Sequence, residues 1–187
     1  MPPKVRITKE DIIQTALELL RENGESTINA RSIAAALNCS TQPVFSNFST
    51  MEKLHDAVVE AAYERYLSFL QSEAEKGDYP RYKSFGRAYI RFAKEEKQLF
   101  RLLFMCERKG KATELTADYR ESIEMIVKAN GISREKAEKL HFEMWACVHG
   151  IATMYNTSFL EMNEELLSEV LSDVYKGLCA RHLGEGV

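Results

Sequence analysis

No apolar run in this sequence approaches the ~18 residues that a membrane span requires, so no membrane partner is expected. The opening residues MPPKVRITKED are polar and basic and lead into no hydrophobic stretch, which reads as the absence of a signal peptide. The four cysteines, Cys39, Cys106, Cys147 and Cys179, form no C-x-x-C pair. Thiols so widely spaced suit a reducing cytoplasm, where they act as small apolar residues, and they argue against a metal site. Also missing are a G-x-S-x-G elbow, a Gly-rich phosphate loop and an H-E-x-x-H pair. His141, Cys147 and His149 are close in sequence, but 141 and 149 can share a helix face that 147 does not, which argues against a zinc or Cys–His centre. Neither an enzyme nor a cofactor is expected. Bulk positive charge is lacking too: the formal net charge is −3, and residues 1–54 hold six basic and six acidic side chains. A nucleic-acid partner would have to be argued from where residues are placed.

What the chain does have is helical periodicity from end to end, with no convincing period-2 strand and no internal repeat. Thr8, with Asp11 three residues on, predicts a capped helix carrying Ile12, Ile13, Ala16, Leu17, Leu19 and Leu20, and Gly24 is expected to end it in the left-handed conformation. Asn29 should cap a short second helix, Asn38 should take φ > 0 in the following turn, and Ser40 should cap a third helix with Pro43 in its first turn. S49-T-M-E52 reads as a capping box opening a long helix that Gly77, Asp78 and Pro80 terminate. Further helices are expected over 81–95, 97–106, 114–130, 133–158 and 163–182, with a polar loop at 107–113. The prediction is an all-α chain of about nine helices with a boundary near residue 50: a three-helix domain over 1–50 and a larger helical domain over 51–187.

The segment N38-C-S-T-Q-P-V-F-S-N-F48 carries no charge. Two short helices joined by a tight turn at Asn38, Cys39 and Ser40, the second polar on its outer face, make a helix-turn-helix. The second helix of that motif enters the DNA major groove. Thr41, Gln42, Pro43, Ser46 and Asn47 would face the bases: Gln and Asn can pair with adenine edges, while Thr and Pro offer apolar contact to thymine methyls. Val44 and Phe48 would hold the helix on its core. The plainer alternative is a polar surface helix.

Residues 8–54 resemble the DNA-binding domain of the TetR family of bacterial transcriptional regulators. The resemblance is carried by I12-I-Q-T-A-L-E-L-L20, Gly24, R31-S-I-A34, the 38–48 segment and E52-K-L54. It covers about a quarter of the chain and implies DNA contacts from Arg31, Ser40, Thr41, Gln42, Pro43, Phe45, Ser46, Asn47 and Lys53. Three positions depart from the family pattern: Asn38 replaces a Gly at the turn, Phe45 a Tyr, and Met51 a Lys that meets DNA, while Lys53, Lys4 and Arg6 are left to compensate. W145-A-C-V-H149-G150 is similar to a Trp-x-x-x-His-Gly motif in the C-terminal domains of one TetR subgroup. Trp145 and His149 lie four apart on one helix face, and Gly150 suggests close packing by a helix or ligand.

The resemblance implies a double-stranded DNA operator, a small-molecule effector bound in the larger domain, and a homodimer formed through the helices near 133–158 and 163–182. Candidate effector contacts are Tyr89, Phe92, Phe104, His141, Trp145, His149 and Tyr155, for which the plainer reading is a place in the packed core or on the surface. The commonest behaviour in the family is repression relieved by the effector. The competing class is a helical small-molecule-binding or interaction protein that reads no DNA sequence.

Overall fold

The computed structural model describes residues 7–106 and 117–183. Among these residues it has nine α-helices and no strand: α1 (Lys9–Asn23), α2 (Ala30–Ala36), α3 (Gln42–Asn47), α4 (Met51–Glu75), α5 (Arg81–Glu95), α6 (Lys97–Phe104), α7 (Ala117–Asn130), α8 (Arg134–Asn156) and α9 (Glu164–Leu183). The all-α expectation holds. Lys4, Arg6, the 107–113 loop and the first three residues of the 114–130 helix lie outside the described residues.

Local chemistry accounts for most helix ends. The Thr8 side chain accepts from the Asp11 amide while the Asp11 carboxylate accepts from the Thr8 amide, a complete capping box. Asn29 accepts from the Ser32 amide at 2.9 Å, Ser133 from Lys136, and Asn163 from Leu166. Asn38 has φ +51°, as the turn requires, and Gly131 ends α7 at φ +64°.

Three expected ends differ. Gly24 does take positive φ, but with ψ near 177° it leads into a 3₁₀ turn, Glu25–Thr27, rather than into the left-handed helical cap. The third helix is preceded by Thr41, not Ser40, and has no side-chain cap, because Thr41 is already in the right-handed helical region. At the start of α4 it is Thr50, not Ser49, whose hydroxyl accepts from the Lys53 amide. The third helical position is then Lys53, so the reciprocal acid of a capping box falls out of register. Each is a shift of one or two residues or a change of ψ, the scale at which flanking packing overrides a local signal.

The chain packs as two compact units. The first comprises residues 1–66 and 96–106, the second residues 67–95 and 107–187. The first two-thirds of α4 and all of α6 thus pack with the N-terminal helices. In the first unit Ile12, Ala16, Leu20, Ile33, Val44, Leu54, Leu99 and Phe100 are fully buried or nearly so. The second unit is built on α5 against α8, with α7 and α9 alongside. Its core includes Phe92, Ile123, Ile126, Leu140, Val148 and Leu171.

Candidate nucleic-acid interface and the C-terminal site

Helices α2 and α3 pack against each other and against α1. Their connection closes through the Cys39 amide donating to the Ala34 carbonyl and the Asn38 amide to Ala35. This tight closure needs the left-handed Asn38, which Asn tolerates better than most residues. Val44 and Phe48, four apart, are buried and fix one face of α3 on the core; the Lys9 ammonium sits 5.4 Å from the Phe48 ring centroid. The other face is open. Gln42, Phe45, Ser46 and Asn47 are exposed, Thr41 and Pro43 partly so, and Ser40 is exposed just before the helix. The Ser46 hydroxyl donates to the Gln42 carbonyl and the Asn47 amide to the Pro43 carbonyl, both at 2.9 Å. Arg31 near the start of α2 and Lys53 in the first turn of α4 are exposed. A buried anchor, an uncharged polar face and exposed cations in the neighbouring helices are the parts that a groove-entering helix needs.

The first unit also holds an ion-pair cluster that no sequence signal pointed to. The Glu96 carboxylate, 7% exposed, accepts from Arg21 at 2.7 and 2.8 Å and from Arg65 at 2.6 and 3.0 Å. Burial pushes this carboxyl up, but the two guanidinium groups outweigh it and hold it below the usual carboxylate range. The partners are 75 and 31 residues apart, beyond the reach of any local pattern.

The seven candidate effector residues are not gathered into one site. Phe104 belongs to the first unit, where its ring packs on Tyr66 and Phe100 at 5.1 and 5.3 Å. The other six are in the second unit. Phe92 is fully buried, edge-on to Phe69 at 5.5 Å. The Tyr155 hydroxyl donates to the Met162 carbonyl and accepts from the Met162 amide, so it closes the α8–α9 connection. Trp145 is 40% exposed on α8 and stacks on His149 at 5.0 Å. A Cβ on Gly150 would meet nothing within 4 Å, so the close packing expected there is not made by the described residues.

The two histidines are each tied to a tyrosine of α5, the Tyr82 hydroxyl lying 2.9 Å from His141 Nδ1 and that of Tyr89 2.8 Å from His149 Nδ1. Residues 82 and 89 are two helical turns apart, as are 141 and 149, so the same pairing recurs along the α5–α8 contact. Burial lowers both imidazoles, His141 to about 4. His141 packs among the rings of Tyr82 and Tyr119, and the Asp118 carboxylate opposes that shift. A neutral imidazole in the fold and an ordinary one in the unfolded chain mean that the unfolded state binds more protons between pH 6.5 and 4. Stability contributed by His141 is present above pH 6.5 and lost as pH falls toward 4, by about 3 kcal/mol at pH 4. Urea unfolding of wild type and His141→Asn from pH 7 to 4 should show a steeper acid slope in the wild type; parallel curves would contradict a buried neutral His141.

A separate cleft of about 470 Å³ in the second unit is lined by residues including Leu67, Leu70, Gln71, Ser72, Phe85, Asp118 and Glu121, and by none of the seven candidates. Among the described residues no group of three or more His, Cys, Asp or Glu side chains is placed to hold a metal ion, and no helix is long and apolar enough to cross a membrane.

Residues 82–174 match the family model described as "Tetracyclin repressor-like, C-terminal domain". The chain belongs to the TetR family. Members of that family are regulators, not enzymes. Among curated proteins none gives a significant match. Among solved structures, a protein of unknown function from Rhodococcus sp. RHA1 superposes with a TM-score of 0.74 at 18% identity, over 94% of this chain and 97% of that one. A single-residue variant of TetR from Acinetobacter baumannii AYE, in complex with minocycline, gives 0.57 at 17% identity over 93% and 95% of the two chains. Apo ActR from Streptomyces coelicolor gives 0.55 at 13% over 99% and 100%. Likenesses at these identities establish the TetR fold.

Proposed function

We propose that this TetR-family chain is a cytoplasmic, homodimeric DNA-binding repressor that a small apolar or amphipathic effector releases from its operator. The observation that carries the proposal is the α2–turn–α3 geometry: Val44 and Phe48 are buried, Gln42, Phe45, Ser46 and Asn47 face outward, and Arg31 and Lys53 are exposed in the flanking helices. Base edges are read by the outward side chains and phosphates are held by the two cations. A single copy meets one half-site, and a second copy is needed for the other, about one DNA turn away. The dimer is formed through α8 and α9, a proposal supported by the apolar side chains these helices leave exposed, Phe142 (63%) and Trp145 on α8 and Leu166 on α9. The open space over Gly150 leaves room for a partner helix.

Effector binding belongs to the second unit. The cleft walled by Leu67, Leu70 and Phe85 has the volume of a small-molecule site. The structurally similar Acinetobacter protein is a minocycline complex, and capture of a small molecule by this chain is proposed by analogy with it. Outside this cleft, Tyr89, His141 and His149 remain proposed polar contacts of the second unit and Phe92, Trp145 and Tyr155 apolar or aromatic ones, whereas Phe104 belongs to the first unit and is not proposed as a contact. The effector releases DNA only through unequal affinity for the bound and released conformations.

Fluorescence anisotropy on duplex DNA from upstream of the chain's own gene, against a scrambled duplex and across a salt series, tests the proposal. Selective, salt-sensitive binding at two copies per site is expected. Substituting Gln42 and Asn47 together by Ala should weaken the specific complex roughly 100-fold and leave the scrambled duplex nearly unaffected. Equal loss on both duplexes would remove base reading from these two residues.

A further inference from the structure

We propose that the outer face of α3 selects A·T pairs, with Phe45 as a specificity-determining residue that packs on the 5-methyl group of a thymine next to an adenine read by Gln42. This rests on the DNA-binding proposal above and adds to it the class of base pair that is read.

Three observations converge. Residues 38–48 carry no Arg or Lys, so α3 cannot make the bidentate contact to guanine O6 and N7 that is the commonest specific readout. The Ser46 hydroxyl and one N–H of the Asn47 amide are returned to carbonyls of their own helix, while the Gln42 amide extends from an exposed position. Gln42 and Phe45 are three residues apart and share one helix face. Phe45 is 54% exposed and makes no aromatic or cation–π contact among the described residues, although the two other apolar residues of this segment's end, Val44 and Phe48, are buried.

A phenyl ring exposed on α3 beside Gln42 would lose its water on docking and needs apolar surface in return. In the major groove the apolar group presented by a base edge is the thymine methyl. Set against a cytosine amine or a guanine carbonyl, the ring would remove water from a polar group and give no hydrogen bond back, which disfavours G·C at that step. Arg31 and Lys53, exposed in α2 and α4, supply the charge complementarity that holds the duplex while α3 is read.

The test starts from selection of duplexes out of a random pool by the full-length protein. Single thymines of the selected site are then replaced by deoxyuridine, which deletes only the methyl, and affinity is measured by anisotropy. One thymine per half-site should show a loss of about four-fold on its replacement, the worth of one methyl-sized group. With Phe45→Ala the thymine and deoxyuridine duplexes should bind equally, with an unchanged circular dichroism spectrum. A selectively bound site insensitive to every deoxyuridine replacement would overturn the inference and leave DNA binding standing, as would a deoxyuridine loss that persists in Phe45→Ala. If no sequence is enriched and all duplexes bind alike, the inference falls together with the DNA-binding proposal.

Discussion

Replacing Arg21 and Arg65 together by alanine is expected to destabilise the protein by about 3 kcal/mol, read as a lower urea midpoint. The two guanidinium groups neutralise the Glu96 carboxylate from two sides, and the carboxylate is nearly inaccessible to water. Removing both cations strands a desolvated anion, which costs about 3–5 kcal/mol in fully buried pairs. The lower end applies here because both arginines are about two-fifths exposed and water can enter where they stood. Glu96→Gln should cost far less, about 1 kcal/mol, since an amide tolerates burial and leaves two arginines that can turn to solvent. Reversal of that order would mean that the cluster stabilises through packing rather than charge. Because the native carboxyl lies below its ordinary range, its contribution is complete above the unfolded-state pKa and disappears as pH falls through the native one. The double-alanine variant should therefore lose this part of the acid sensitivity.

Phe92→Ala is expected to cost about 3–5 kcal/mol and to lower the melting temperature by roughly 10 °C. The ring is fully buried on α5 and meets Phe69 edge-on, while the Arg91 guanidinium covers that same Phe69 ring at 4.5 Å. Truncation leaves a void that close-packed neighbours fill only in part. Phe92 is also one of the proposed effector contacts, and the two roles separate in calorimetry. A core ring gives a large fall in melting temperature without ligand, whereas a cavity-lining ring gives a small fall and a large change in effector affinity.

The helices were legible in the sequence because their determinants are local. Thr8 with Asp11, Asn29, Ser133, Asn163 and the left-handed Asn38 and Gly131 act within three or four residues of themselves, and each acts as its residue type predicts. The misplaced signals at Ser40 and Ser49 arose where two hydroxyl residues are adjacent and either can serve; the structure uses Thr50 in α4 and no side chain in α3. The outward face of α3 was legible for the same reason, since burial of Val44 and Phe48 follows from their spacing. The second unit was harder to read. Period shows that Trp145, His149 and Phe142 lie along one side of a helix, but not whether that side meets a neighbour or water. Tyr82 with His141 and Tyr89 with His149 meet across 59 and 60 residues, and Glu96 meets Arg21 across 75, so these pairings depend on topology.

The chain has one tryptophan, and it lies over an imidazole. An indole beside a protonated imidazole is quenched by electron transfer more strongly than one beside the neutral ring. Burial holds His149 below the ordinary histidine range, so the bright state persists through neutral pH. Emission from Trp145 is thus a built-in, label-free optical signal from the middle of α8, free of interference from other indoles. Its wavelength responds to whatever excludes water from that face, and its intensity to the proton on its neighbour.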